Sequence, residues 1–331
     1  MTALECAFNH TLDRPETACR NTDFIETPMS RIALIANPIS GSGSSRARAE
    51  ALQQELEHVG HEVVLTWTRL EPCAQWLDPV LQDVDVAVVA GGDGTVRLVA
   101  ESAIQTRTPI YQVPTGTENL FARALGHSGE AGDVIRAIEA ADVCLLDVAD
   151  ANGTTSILMT SCGFDAAVVQ DLASRRTGPI SHWTYLPSML RQLWSWKPVP
   201  VGIMVDGEGV GSDQPGLCFV CNCREYGGGF NPAPDARMDD GLLDIVFLPT
   251  RSRLGLLRWM WKARWGTHLA STRALHARGR RIVLEPASPV PWQVDGDCPA
   301  ESATPLTQRV TIEVRSGVLP VLRPAGDASR N

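Results

Sequence analysis

No apolar run in this 331-residue chain approaches the roughly 20 residues that a helix needs to cross a bilayer, so no membrane span is expected. The first 28 residues lack the basic start and apolar middle of a secretory signal; residues 1–29 read as a disordered leader and 324–331 as a disordered tail. The 9 cysteines form no small-domain framework, which points to reduced thiols and a cytoplasmic setting. Cys218, Cys221 and Cys223 crowd together, but no second pair follows at metal-binding spacing, and LCFVCNC reads as a buried strand, not a zinc site. The absence of Gly-x-x-x-x-Gly-Lys-Ser/Thr excludes a P-loop. With no helix-turn-helix, zinc or RNA-binding motif, no nucleic-acid partner is expected. Acidic residues are missing between Asp244 and Glu285, where Arg251, Arg253, Arg258, Lys262, Arg264, Arg273, Arg278, Arg280 and Arg281 all fall. On a chain of net charge −9, that basic stretch implies an anionic partner.

What is present is a globular composition, 44% hydrophobic and 20% charged, in a chain long enough to favour two domains over one core. The first half alternates. RIALIA (31–36), EVVLTW (62–67), VDVAVVA (84–90) and PIYQVP (109–114) read as strands, with helices expected from Arg46 to Gly60, at 74–81, 96–104, 120–125 and 132–140. Such alternation implies a doubly wound parallel sheet. After about residue 143 the pattern becomes apolar strands separated by Gly, Pro and Asn: VCLLDVA, SILMTSCG, VPVGIMVD, GLCFVCNC, LLDIVFL, RIVLEP, PWQVDGD and RVTIEVR. That series implies an antiparallel sandwich or barrel, interrupted by helical stretches at 165–195 and 252–270.

Three strand ends carry turns suited to phosphate. Gly91, Gly92, Asp93, Gly94 and Thr95 follow a strand buried on both faces; the glycines can supply positive φ and close backbone approach, and Thr95 is expected to start the next helix. NPISGSG brings Asn37, Pro38, Gly41 and Gly43 to the end of the first strand. PTGTENLFAR brings Gly116 and Thr117 to a third strand end, with Asn119 placed to hold the loop by hydrogen bonds. Turns of this kind at neighbouring strand ends define a nucleotide crevice.

VVAGGDGT, NPISGSG and PTGTENLFAR, followed in order by YGGGFNPAPDARMDDGLLDIVFL (226–248) and QVDGD (293–297), resemble the diacylglycerol kinase catalytic domain family of bacterial lipid kinases, diacylglycerol kinases and sphingosine kinases. The resemblance spans 31–323. It implies a nucleotide domain of residues 30–143 joined by a returning 306–323, and a β-rich lipid domain of residues 144–305. It further implies ATP and Mg2+ as cofactors, a lipid with a free hydroxyl as acceptor, and Asp295 as general base. Thr68 matches a family threonine near the nucleotide, though it equally fits a plain strand end, and Arg237, Asp240 and Leu242 match a magnesium site in which one carboxylate joins nearby main-chain carbonyls, the alternative being that Asp239, Asp240 and Asp244 are solvated loop charges. The family's late Asp-Gly-Glu motif ends here in Asp297, a shorter carboxylate. On spacing alone, Asp295-Gly296 also fits a hairpin turn.

HWTYLPSMLRQLWSW (182–196) and LGLLRWMWKARW (254–265) mix tryptophans with basic residues. They fit a lipid headgroup boundary, and equally a core packed with indoles. The expected partners are therefore a lipid substrate and an anionic membrane surface at the inner face of the membrane; a homodimer is a further expectation. The rival readings are an NAD or sugar-phosphate kinase, which shares the GGDG crevice, and a non-catalytic nucleotide or lipid sensor.

Overall fold

The computed structural model describes residues 29–38, 45–175, 182–210, 213–299 and 306–326. Gly41 and Gly43, most of the expected leader and the end of the expected tail lie outside them. In the first half, β1 (Arg31–Ala36), α1 (Ser45–His58), β2 (Glu62–Trp67), α2 (Cys73–Trp76), α3 (Asp78–Leu81), β3 (Val86–Gly91), α4 (Asp93–Thr106), β4 (Ile110–Pro114), α5 (Leu120–Leu125) and α6 (Ala131–Ala140) alternate. The strands lie parallel in the order β2-β1-β3-β4. β3 shows why: Val86, Val88 and Ala90 pack under α1 and α6, while Ala87 and Val89 face the side of α4. A strand buried on both faces needs apolar residues at every position.

The second half contains β5 (Val143–Ala151), β6 (Thr154–Ser156), β7 (Met159–Cys162), α7 (Phe164–Ser174), α8 (His182–Ser195), β8 (Pro200–Val205), β9 (Glu208–Gly209), β10 (Gln214–Cys221), β11 (Leu243–Pro249), α9 (Arg253–Arg264), β12 (Leu275–Gly279), β13 (Arg281–Pro286), β14 (Val290–Val294), β15 (Leu306–Thr307) and β16 (Val310–Leu322). It is an antiparallel sandwich. One layer joins β6, β5, β16, β13 and β8; the other joins β12, β11, β10, β7 and β14. Ile203, Ile282 and Ile312 belong to the same buried cluster as Cys218, Ile245 and Trp292, the core between the layers.

Several elements differ from the sequence reading. The stretch 74–81 splits into α2 and α3, and 165–195 into α7 and α8. β12 was not expected, because LHARG sits at a sheet edge, paired to β11 alone, with alternate residues exposed. β16 runs past Arg315 to Leu322, pairing with β13 and β5 and, at Val321, parallel to Ile110 of β4. A bulge between Arg315 and Leu319 holds Gly317 at φ 61, and buried Asp147 accepts the Gly317 amide at 2.7 Å. The tryptophans divide: Trp259 is buried and Trp196 packs on the core, while Trp194, Trp261 and Trp265 are exposed.

His127 fastens this last strand to the parallel sheet. Its Nδ1 accepts the Gln112 amide at 3.1 Å, which leaves Nε2–H to donate to the Leu322 carbonyl at 2.8 Å, and the ring stacks on Tyr111. Burial pushes its pKa from 6.5 down to about 4, against the opposing pull of the Leu322 carbonyl. A folded-state pKa below the unfolded one contributes stability above pH 6.5 that is lost as pH falls through about 4. Urea denaturation is expected to show up to about 3 kcal/mol of stability lost across that window, and His127→Gln is expected to flatten the slope.

Candidate active site

The strand order reverses between β1 and β3, which opens a crevice at their carboxyl ends. Asn37, just past β1, donates to Thr95 Oγ1 at 3.4 Å. Pro38 follows, and its carbonyl accepts from Ser45 Oγ at the start of α1. Thr68 donates its amide to Ala36 at the same edge but does not line the cavity described below.

The GGDGT turn differs from expectation in two ways. α4 begins at Asp93, capped by Gly92, so Thr95 already lies in the first turn. None of Gly91, Gly92 or Gly94 has positive φ. At Gly91 and Gly92 glycine serves for space. A Cβ on Gly91 would lie 2.4 Å from Thr95 Cβ, and one on Gly116 would lie 2.7 Å from Gly92 Cα. The two loops thus touch backbone to backbone. Asn119, at φ 49, accepts the Gly116 amide and donates to its carbonyl, both at 2.8 Å. Asp93 completes the joint by accepting the Leu120 and Phe121 amides, each at 3.0 Å, at the start of α5. Burial raises its pKa, and those two amides oppose the rise.

Asp295 sits across from this turn, after β14, at φ 51. Its side chain has no exposed surface. Oδ1 accepts from Ser156 Oγ at 2.9 Å and from the Leu158 and Met159 amides at 2.9 and 2.8 Å; Oδ2 accepts the Ile157 amide at 2.8 Å. Arg97 Nε lies 4.0 Å from Oδ2. Burial raises the pKa of Asp295, with the backbone amides and Arg97 pulling the other way. Two residues on, Asp297 has half its side chain exposed, pairs with Arg97 at 2.7 Å, and lies over Gly94.

One cavity of about 850 Å³ joins these parts. Its polar mouth includes Asn37, Gly92, Asp93, Gly94, Thr95, Gly116, Thr117, Asp295 and Asp297. Its inner wall is apolar, with Leu158, Phe164, Val168, Phe219, Leu248 and Met260. Asp165 is the charged exception on that wall: it accepts from Ser161 at 2.5 Å, from Gln293 at 3.2 Å and from the Tyr226 hydroxyl. Burial raises its pKa against all three donors.

The expected magnesium residues stand elsewhere. Asp240 Oδ1 accepts the Leu242 amide at 3.1 Å, and Oδ2 pairs with the Arg278 guanidinium. The Arg237 side chain pairs with Asp239. None of these three residues lines the cavity, and the Arg278 guanidinium faces the one carboxylate; the main-chain carbonyls of Arg237 and Leu242 would be the remaining oxygen donors. Among the described residues no group of three or more His, Cys, Asp or Glu could hold a metal.

Sequence reading missed Arg97 and Asp165. Arg97 lies one helical turn beyond Asp93, and Asp165 is a lone acid in the otherwise apolar SCGFDAAVV, signals that single spacings make easy to overlook. Gly116→Ala is expected to force the two loops apart and abolish nucleotide binding while the chain still folds, measured by ATP titration beside circular dichroism; unchanged ATP affinity would remove the loop contact from the site.

Comparison with known proteins agrees with this geometry. Residues 31–151 match the family model described as the diacylglycerol kinase catalytic domain, and residues 159–323 match the YegS C-terminal NAD kinase beta sandwich-like domain. A diacylglycerol kinase of Mycobacterium tuberculosis (strain ATCC 25618 / H37Rv) is 30% identical over 296 residues, covering 85% of this chain and 95% of its own. One of Bacillus subtilis (strain 168) is 26% identical over 283 residues, covering 81% and 90%. A crystal structure of a diacylglycerol kinase from Bacillus anthracis str. Sterne superposes with a TM-score of 0.65 at 20% identity, over 90% of this chain and 98% of that one, a likeness that bears on fold alone. With matched models over both halves and a 30% identical relative along most of its length, the chain belongs to the diacylglycerol kinase family of lipid kinases.

Proposed function

We propose that this enzyme transfers the γ-phosphoryl group of Mg-ATP to the free hydroxyl of a diacylglycerol-like lipid. The observation that carries this reading is the continuity of the cavity, in which a glycine-lined phosphate edge and an apolar chamber meet at Asp297. Residues 30–143 with the end of β16 form the nucleotide half in this reading, and 144–305 the lipid half. An NAD or sugar-phosphate acceptor would leave the Leu158, Phe219 and Met260 wall without a partner.

ATP phosphates lie against Gly92, Gly94 and Thr95, where a helix N-terminus offers unsatisfied amides and a favourable dipole. Asn37, Gly116 and Thr117 border the rest of the nucleotide. Magnesium bound with ATP would supply charge neutralisation at the transferring oxygens. The base is Asp297, not Asp295. Supporting this is access: Asp295 is enclosed by its four donors, while Asp297 faces the mouth. As the lipid oxygen bonds to γ-phosphorus, the bond to ADP breaks, its electron pair stays on ADP, and Asp297 takes the hydroxyl proton. Arg97 holds Asp297 in place, and Asp295 holds the turn. The exposed Trp194, Trp261 and Trp265 support peripheral contact with an anionic membrane at its inner face.

Asp297→Asn is expected to lower kcat on short-chain diacylglycerol by about 10²- to 10⁴-fold, with KM for ATP and thermal stability near those of the parent. Turnover within a few-fold of the parent would return the base to another group. Efficient phosphorylation of NAD with no lipid product would replace the substrate class altogether.

A further inference from the structure

We infer that a second cavity, on the far side of α9 from the chamber, is a binding site for the phosphate of an anionic bilayer lipid; the inference rests on the lipid-kinase reading only for its purpose. This cavity, of about 500 Å³, is lined by Arg251, Arg258, Lys262 and Arg273 and, among the described residues, by no acidic one. None of the four cations forms an ion pair among the described residues, although most other arginines of the fold do. Lys262 lies over the Trp259 ring, 5.4 Å from its centroid. Ser252 and Gly255 bring the capped start of the twelve-residue α9 to the same cavity, adding the positive end of a helix dipole.

Four unpaired cations around one concavity are mutually repulsive, and an anion in their midst removes that repulsion. The shared chemistry is a phosphate oxygen set held by guanidinium forks. The bilayer source is favoured by what borders it. Leu254 lines the cavity yet is exposed, and Trp261 stands two turns further along the same helix, also exposed. Apolar side chains beside a cationic pocket match the boundary between headgroup and acyl chain. α9 therefore has three faces: Leu256 and Trp259 are buried, Met260 and Ala263 line the substrate chamber, and Leu254, Arg258 and Lys262 line the cationic cavity. A headgroup held there sets the chamber wall at the membrane surface, beside the pool of lipid substrate.

The test uses the full chain and flotation with phosphatidylcholine vesicles, alone or containing about 20% phosphatidylglycerol. The parent is expected to float with the anionic vesicles only. The triple variant Arg251→Gln, Arg258→Gln, Arg273→Gln is expected to bind about 100-fold more weakly. A control with the same charge change, Arg280→Gln, Arg281→Gln, Arg309→Gln, is expected to bind as the parent does. Equal binding by the pocket variant, or equal loss in the control, overturns the site. Calorimetric binding of glycerol phosphate with no preference for anionic vesicles overturns the bilayer source. Phosphorylation of short-chain diacylglycerol in detergent micelles separates the two readings: the pocket variant should match the parent there. Arginine-dependent flotation by a parent that phosphorylates no lipid leaves the docking site standing and removes the catalytic reading.

Discussion

Everything at the active site is referred to one buried carboxylate. Asp295 is taken wholly out of water, which is tolerable for a charge only where fixed dipoles replace the lost hydration. Ser156 and the amides of Ile157, Leu158 and Met159 supply that replacement. The same bonds tie the turn after β14 to the segment leading into β7, and the left-handed backbone at Asp295, a conformation that aspartate adopts more readily than most residues, reverses the chain. Asp297 is thereby delivered over Gly94. One enclosed carboxylate thus fixes the position of a second, half-exposed one.

On the opposite side of the crevice, Asp93 plays a matching part. Its oxygens satisfy two amides at the start of α5, so the GGDGT turn and the following loop move as one piece. Backbone contact between Gly92 and Gly116 leaves no room for side chains between them. This glycine-lined edge of the cavity is therefore stiff, a property that suits phosphoryl transfer, where positioning and charge stabilisation supply most of the rate. Ion pairs then cross from this half to the other: Arg97 to Asp297, Arg123 to Glu225, and Glu101 to Arg315.

The parallel strands were legible because burial on both faces writes an unbroken apolar run, as in RIALIA and VDVAVVA. LHARG was not, since an edge strand carries charge that imitates a loop. The turn GGDGT does line the cavity, but its glycines are set by crowding against Thr95 and Gly116, which is a tertiary fact. The enclosure of Asp295 was illegible for the same cause: its donors lie some 137 residues away in sequence. Asp240 likewise has a partner that its local sequence does not announce, the Arg278 guanidinium from β12. Motif order identified the family, while the division of labour among its acids required the partners.

β16 carries a consequence for how the protein is made. Synthesis proceeds from the amino terminus, and domains that are complete can fold while later residues are still being added. Here the parallel sheet is not complete when its own four strands emerge, because β4 waits for Val321 and His127 waits for the Leu322 carbonyl. Until β16 has been made, β4 presents an unpaired edge of buried-type residues. The edge of the first sheet is thus covered by a strand from the far end of the second half, so a chain cut before Val321 leaves β4 bare along that edge.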